Sequence, residues 1–332
     1  MMKNTGMLFI DNRVVREILS MDAAISAVEE AFREKGQGKV VMPPKLYVFL
    51  DEFKGDFRVM PAYLRESNIA GVKVVSVYPN NSKLYNLPTV IAVVELLDPK
   101  TGKPLCIMDG TWLTAMRTGA AGGIAAKYLA RVDSKIIGMV GAGTQARTQL
   151  EALNVVLKNI ELVQVYDIIR SKSEEYARDM EKRLGIEIRV TDSIEKAVKN
   201  VDIVVTTTPS TRPIVKSEWI GEGVHINAIG ADAPGKQELD PMILKRAKIV
   251  VDDLEQARHS GEVNVPLSKG ILSREDIYAE LGEIIARLKP GRTSYEEITV
   301  FDSTGLAIQD IATAWLVYKE AKKRGLGLEL KI

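Results

Sequence analysis

The segment Gly141-Ala142-Gly143-Thr144-Gln145-Ala146, entered from the apolar run Ile136-Ile137-Gly138-Met139-Val140, restricts what this chain can fold into more than any other stretch. Glycine at 141 permits a tight turn after a strand. Glycine at 143 lets the backbone approach a bulky anion, and alanine at 146 keeps the next helix close to the strand. The first turn of that helix presents unpaired N–H groups and a positive dipole end, a ready seat for a pyrophosphate. A second apolar run, 162–166, ends on Asp167. That acid lies about 24 residues beyond Gly143, near the ~20-residue offset at which a carboxylate meets the ribose hydroxyls of a dinucleotide. Asp167 would repel a 2′-phosphate, so the pattern favours NAD over NADP. Arg170, three residues on, pulls weakly the other way.

Strand-like runs at 135–140, 162–166, 187–190, 203–207, 224–229 and 249–251 alternate with helical segments. This alternation predicts an α/β domain on a doubly wound parallel (Rossmann) sheet. The chain upstream has a different texture. Residues 20–35 read as a helix capped by Ser20, with Ala24, Ala27, Val28, Ala31 and Phe32 on one face. β-rich runs at 45–50, 57–64, 70–78, 89–97 and 104–108 then follow without helices between them. With Pro99-Lys100-Thr101-Gly102 as a tight turn, they predict a mixed or antiparallel sheet in an α+β domain. Residues 111–131 read as a helix containing Gly119-Ala120-Ala121-Gly122-Gly123. Two readings of those glycines stand open: close helix packing, or backbone approaching a ligand near Arg117, Thr118 and Gly119. A last strand at 298–301 leads into a helix reaching about Arg324, with Ile308, Ile311, Ala312, Trp315, Leu316 and Tyr318 at helical spacing. Its return to the first domain would make that domain discontinuous, residues 1–118 with 306–332, around a dinucleotide domain at 119–305.

A chain of 332 residues can bury two proper cores. Lys and Arg number 45 against 44 Asp and Glu. Such a balance offers no broad attraction for nucleic acid or for an anionic membrane. The single Cys106 excludes an internal disulfide and any multi-thiolate metal site, and its apolar surroundings suit an inert thiol. No run of ~18 apolar residues occurs and the first twelve residues lack a signal-peptide pattern, so a cytoplasmic location is expected.

Two histidines are present. His225 lies in the apolar run Val224-His225-Ile226-Asn227 and reads as a structural, hydrogen-bonded residue. His259, in Arg258-His259-Ser260-Gly261, reads as exposed. Their spacing gives no metal signature. Cations are better placed for chemistry. Arg58, Lys73 and Arg117 each sit among apolar or small residues, and buried charges need partners, so together they suggest a pocket for a carboxylate. A desolvated lysine also has a lowered pKa and can shuttle protons. Asp232 stands just past the strand at 224–229, where such sheets form their ligand crevice. The same position suits a turn-forming aspartate.

These segments together resemble the ornithine cyclodeaminase/μ-crystallin family, and within it the alanine dehydrogenase branch. The matching motifs run nearly end to end: Met60-Pro61-Ala62-Tyr63, Leu113-Thr114-Ala115-Met116-Arg117-Thr118-Gly119, the loop at 141–146, Asn227-Ala228-Ile229-Gly230-Ala231-Asp232, Gln237-Glu238-Leu239-Asp240, Val251-Asp252-Asp253 and Phe301-Asp302-Ser303-Thr304-Gly305. The resemblance implies a homodimer whose first domain supplies subunit contacts and substrate groups, with NAD on the second. By position Lys73 is similar to the family's catalytic lysine and Arg117 to the arginine at the substrate carboxylate and the cofactor. Asp232 matches the acid near the substrate amine. Thr144, Gln145, Asp167, the turn Ala228-Ile229-Gly230 and Ser303 correspond to cofactor contacts. Cyclodeaminases of the family tend to carry glutamate where Arg58 stands, and its ketimine reductases tend to lack the acid at Asp232 and to favour NADPH. The implied reaction is oxidation of a small amino acid, L-alanine above others, to its 2-oxo acid and ammonia, and the reverse. A cyclodeaminase using NAD without net redox change and a non-catalytic nucleotide-binding protein are the competing expectations.

Overall fold

The structure is a computed structural model that describes residues 6–331. Its chain divides into two compact units, one made of the described residues up to Arg117 with those from Leu306 onward, the other of Thr118–Gly305.

The first unit is built on an eight-stranded mixed sheet. Its strands are β1 (Met7–Ile10), β2 (Val40–Val41), β3 (Leu46–Leu50), β4 (Gly55–Leu64), β5 (Ile69–Val77), β6 (Val90–Leu97) and β7 (Pro104–Asp109), with a last short strand at Leu328–Leu330. Strands β4 to β7 form an antiparallel meander, β2 and β3 both pair with β4, and β1 runs parallel to β7. The β6–β7 turn places Gly102 at φ 72°, a left-handed conformation that glycine adopts without strain. Burial alternates along β4 and β5, so that Arg58, Met60, Ala62 and Leu64 share one covered face with Lys73 and Val75. That face carries the C-terminal helix Ala307–Arg324, which also packs on helix Met21–Gly36. Ser20 caps the latter by accepting from the Ala23 N–H. A seven-residue helix at Asn12–Ile18 was not expected, being too short to show a period. The C-terminal helix buries Ile308, Ile311, Ala312, Val317 and Tyr318, whereas Trp315 and Leu316 are half-buried at the edge of its stripe.

The second unit holds an eight-stranded parallel sheet. Its strands are β8 (Ile136–Val140), β9 (Leu162–Tyr166), β10 (Glu187–Val190), β11 (Ile203–Thr206), β13 (His225–Ala228), β15 (Lys248–Val251), β16 (Ile277–Glu280) and β17 (Thr299–Asp302); β12 (Thr211–Val215) and β14 (Gln237–Leu239) pair separately. The order β10-β9-β8-β11-β13-β17-β15-β16 is doubly wound about β8, and the switch point lies between β8 and β11. Both faces are apolar. Val140, Val204, Ile226 and Val251 enter one core, and Met139, Val163, Val165 and Val205 the other. Helices on both faces demand such uninterrupted apolar strands. The fold is therefore α/β, a doubly wound parallel sheet accompanied by a mixed-sheet α+β unit.

The glycines of helix Thr111–Leu129 have a packing cause. A Cβ on Gly119 would lie 2.5 Å from the Thr148 carbonyl oxygen, and one on Gly122 would overlap the Gln149 side chain. Gln149 in turn donates to the Thr118 carbonyl at 2.9 Å, so helix Thr144–Val156 is drawn against this one. Among the described residues no helix is long and apolar enough to cross a membrane.

Candidate active-site residues

In the second unit β8 delivers the chain to Gly141, whose φ of 99° suits glycine alone, and a Cβ there would meet Thr207 Oγ1 at 2.6 Å. Gly143 is the N-cap of helix Thr144–Val156, and no side chain closes that first turn. Nothing lies within 4 Å of the place where a Gly143 Cβ would project. An open cradle facing the uncapped N–H groups of Thr144 and Gln145 fits a dinucleotide pyrophosphate. Asp167 does more than the sequence suggested. Its carboxylate accepts from the Ala142 N–H at 3.0 Å and the Ile169 N–H at 2.9 Å, which ties the β9 end to the loop. Arg147 braces the loop from the carbonyl side, donating to Ala142 at 2.8 Å and Gly143 at 3.3 Å while paired with Asp179. Arg170 is exposed and spends its charge on Glu174, at 3.0 Å.

The same end of the sheet carries the other expected contacts. Ala228 and Ile229 are buried at the close of β13, and the Gly230 N–H donates to Glu238 at 3.0 Å. Ser303 follows β17 and donates its N–H to the Ala228 carbonyl. Asp232 lies in the turn after β13, partly exposed and ion-paired with Lys236. Behind these turns stands a series of buried carboxylates. Glu238 receives the Thr208 and Gly230 N–H groups, Glu262 those of Glu238 and Leu239, and Asp302 those of Glu262 and Val263. Asp252 receives Thr304 and Gly305. Burial holds the Glu238 and Glu262 carboxyls above their ordinary range, Glu262 the more strongly because Glu238 also repels it.

In the first unit the three expected cations share a neighbourhood. Arg58 lies across from Val75 and Lys73 across from Met60, one diagonal step apart on the covered face of the sheet. Arg58 is 5% exposed, donates to Asp56 at 2.6 Å and lies over the Tyr47 ring. Asp56 lies two residues before Arg58 on the same strand, and the pair they form is largely withdrawn from solvent. Lys73 is 0% exposed, and its Nζ lies 2.8 Å from Asp310 Oδ2. Neither of these two atoms makes an aligned hydrogen bond. Arg117 gives its Nε to the other Asp310 oxygen at 2.9 Å and an Nη to Gln309 Oε1 at 2.9 Å. Burial, then repulsion from Arg117, lowers the Lys73 pKa to about 7 against the opposing pull of Asp310, and Lys45 lowers it further.

Asp310, Gln309 and Lys45 escaped the sequence reading. The signal for Asp310 was a single charge inside Ala307-Ile308-Gln309-Asp310-Ile311-Ala312, a stretch read only for its apolar period. His225 is the structural residue expected. It is fully buried between Thr299 and Asn227, and burial pushes its pKa down to about 3. His259 is exposed, and burial pushes the Cys106 thiol up to about 12.

The fold and these residues define a class: a protein with a dinucleotide loop on a doubly wound sheet and, on its other unit, a buried cationic cluster suited to a small carboxylate. The chain belongs to the ornithine cyclodeaminase/mu-crystallin family, whose profile matches residues 6–325. It is 53% identical to an alanine dehydrogenase of Archaeoglobus fulgidus, over 98% of each chain. A solved archaeal alanine dehydrogenase dimer with bound NAD superposes with a TM-score of 0.94 at 52% identity, covering 98% of this chain and 99% of that one. The Delta(1)-pyrroline-2-carboxylate reductase of Thermococcus litoralis, solved with NADH and L-proline, gives 0.95 at 44% identity, covering 98% and 100%. The family thus joins dehydrogenases, reductases and cyclodeaminases on one fold.

Proposed function

We propose that this chain is an NAD-dependent dehydrogenase interconverting L-alanine, or a similarly small amino acid, with its 2-oxo acid and ammonia. The observation that carries the reading is Lys73, buried whole between Arg117 and Asp310 with N–H groups not consumed by aligned hydrogen bonds. A scaffold lysine is normally solvated or fully paired; one held this way is equipped for a ligand.

In this mechanism NAD is seated by the loop at 141–145, Asp167, the turn at 228–230, Thr118 and Ser303, and when bound it supplies the hydride acceptor. Arg58 and Arg117 hold the substrate carboxylate as charge-assisted donors. As the α C–H bond breaks with its electron pair, the amine nitrogen loses a proton and a C=N bond forms. Lys73 takes up and returns protons at the nitrogen and at the water that adds to the imine carbon. A pKa of about 7 lets it do both near neutrality. Asp232 orients the amine or activates that water. Loss of ammonia leaves the 2-oxo acid. The site's contribution is orientation and charge placement around the reacting carbon.

The similarity to the pyrroline-2-carboxylate reductase supports a second reading, reduction of a cyclic imine to an imino acid by the same hydride step. A cyclodeaminase fits less well, because a second substrate ammonium would face the Arg58 guanidinium. One panel separates them. Alanine with NAD yields NADH and ammonia from a dehydrogenase, whereas ornithine yields ammonia alone from a cyclodeaminase. Pyrroline-2-carboxylate consumes NADH without releasing ammonia. Activity confined to the cyclic imine would overturn the alanine reading.

A homodimer is part of the proposal. The outer face of the mixed sheet carries Leu46, Val59, Val74 and Val93 in one cross-strand row, with Ile91 two residues before Val93 on the same strand. Val93 and Leu46 are about half exposed on this chain alone, where an antiparallel sheet normally turns polar residues outward. Sedimentation should find two copies. A monomeric wild-type enzyme would sink that part.

A further inference from the structure

We propose that Asp310 is the positioning residue of the cationic cluster, a single carboxylate that orients Arg117 with one oxygen and Lys73 with the other and keeps a proton available on a lysine shut off from water. The inference rests on the role given to Lys73 above. Asp310 is itself fully buried in the first turn of the C-terminal helix, where the helix dipole favours an anion. Gln309, the residue before it, fixes the Arg117 guanidinium through a second atom. One turn of helix therefore sets both the angle of the arginine and the place of the ammonium.

The charged groups facing Lys73 are few. Arg117 comes from helix Thr111–Leu129, Lys45 from the approach to β3 and Asp310 from the C-terminal helix. Arg58, on the neighbouring strand, is neutralised by Asp56. Among the described residues, Asp310 is the negative group that acts on the ammonium, against Arg117 and Lys45. Without it a buried lysine would face two like charges and release its proton well below neutrality.

The sign of the effect follows. Reductive amination needs the protonated lysine, so its rate falls as pH rises through the Lys73 value of about 7, and amino-acid oxidation rises through the same value. In Asp310→Asn both midpoints should move to lower pH by at least about one unit, a roughly tenfold loss of reductive rate at neutral pH that acid partly restores. Asp310→Glu keeps the charge but displaces it, so the midpoint should stay while kcat falls. A residue that merely held the fold would lower the rate equally at every pH. An unmoved midpoint in Asp310→Asn, or a Glu variant shifted as far as the Asn variant, overturns the proposal. Should the Asn variant fail to fold, the Glu variant decides alone: midpoint kept with lower kcat supports the proposal, midpoint lost overturns it. Acylation of Lys73 by a small amine-reactive reagent, mapped by peptide mass spectrometry across pH, reads the same proton without turnover. Full turnover in Lys73→Ala would defeat the reading of the site. An unchanged acylation midpoint in Asp310→Asn would defeat this inference alone.

Discussion

The two units bury charge in opposite ways. In the doubly wound unit Glu238, Glu262, Asp252 and Asp302 lie out of solvent and accept backbone N–H groups from the turns at the strand ends, with the Thr304 hydroxyl donating to the second Asp252 oxygen. In the mixed-sheet unit Lys73 and Asp310 are equally buried, yet they meet each other as an ion pair without an aligned hydrogen bond. Burial alone does not mark a functional charge. A carboxylate closed by backbone donors is a rivet, because its hydrogen-bonding capacity is used by the fold. A charge closed only by another charge keeps donors for something that arrives later. In the proposed function the turns that would seat the dinucleotide are tied by the first kind, and the groups assigned to the substrate are held by the second.

The largest effect tests the poised side. Lys73→Ala should lower turnover by roughly 10²–10⁴-fold, the usual weight of a general acid–base group, and leave NAD affinity nearly intact. Calorimetric titration with NAD alongside steady-state rates separates the two. Loss of NAD binding in a folded variant would move Lys73 to the cofactor.

Arg58 comes next. A charge-assisted hydrogen bond is worth ~1.5–3 kcal/mol, so Arg58→Ala should raise KM for alanine and pyruvate roughly ten- to a hundredfold. The largely buried Asp56 pair adds a complication, since the variant takes Arg58 away from Asp56 and should also melt lower. Unchanged KM with a lowered melting temperature would reduce Arg58 to a structural residue. Arg58→Glu should weaken pyruvate reduction further by setting carboxylate against carboxylate.

The contrast between rivets and poised charges also marks what was legible in the sequence. The loop at 141–146 with its acid at 167 was readable because a phosphate cradle demands glycine at fixed offsets. Most strands of both sheets were readable because alternation and unbroken apolar runs are local properties, but Met7–Ile10, Val40–Val41, Ile277–Glu280 and Leu328–Leu330, two to four residues each, are too short to show either pattern. Lys73 and Arg117 stood out as cations in apolar surroundings. Asp310 did not, because its partners are far away in the chain and the local signal of its own helix is the hydrophobic period alone. The carboxylate series from Asp302 to Glu238 was invisible for a related reason. Each acid looks like a turn or cap residue until the fold brings backbone N–H groups from elsewhere to meet it.

Asp167 sits between the two kinds, bracing Ala142 and Ile169 while ending the strand where a ribose is expected. Asp167→Ser should therefore narrow the preference for NAD over NADP and weaken NAD binding as well, each by about tenfold for one lost charge-assisted contact. Arg170, now paired with Glu174, would then be placed to meet a 2′-phosphate. Titrations with both cofactors decide. NADP binding as tight as NAD in the wild type would remove Asp167 from the specificity role.

The smallest effect is the most exacting for the comparison. Glu262 is a rivet whose carboxyl is held well above its ordinary value of 4.5, first by burial and then by repulsion from Glu238, with Asp302 adding a further share. An acid that holds its proton more tightly folded than unfolded contributes stability that is fully present below that ordinary value. The contribution is lost as pH rises through the raised folded value. Glu262→Gln keeps the Oε1 acceptor that receives both the Glu238 and Leu239 N–H groups, while removing the charge. The variant should match the wild type in kcat and KM, stay within about 1 kcal/mol of it in stability at acid pH, and become the more stable of the two on the alkaline side. Melting curves across pH with parallel kinetics read both quantities. A collapse of turnover with the fold intact would mean that the Glu262 charge itself is used, and that a carboxylate saturated by backbone donors can still belong to the chemistry.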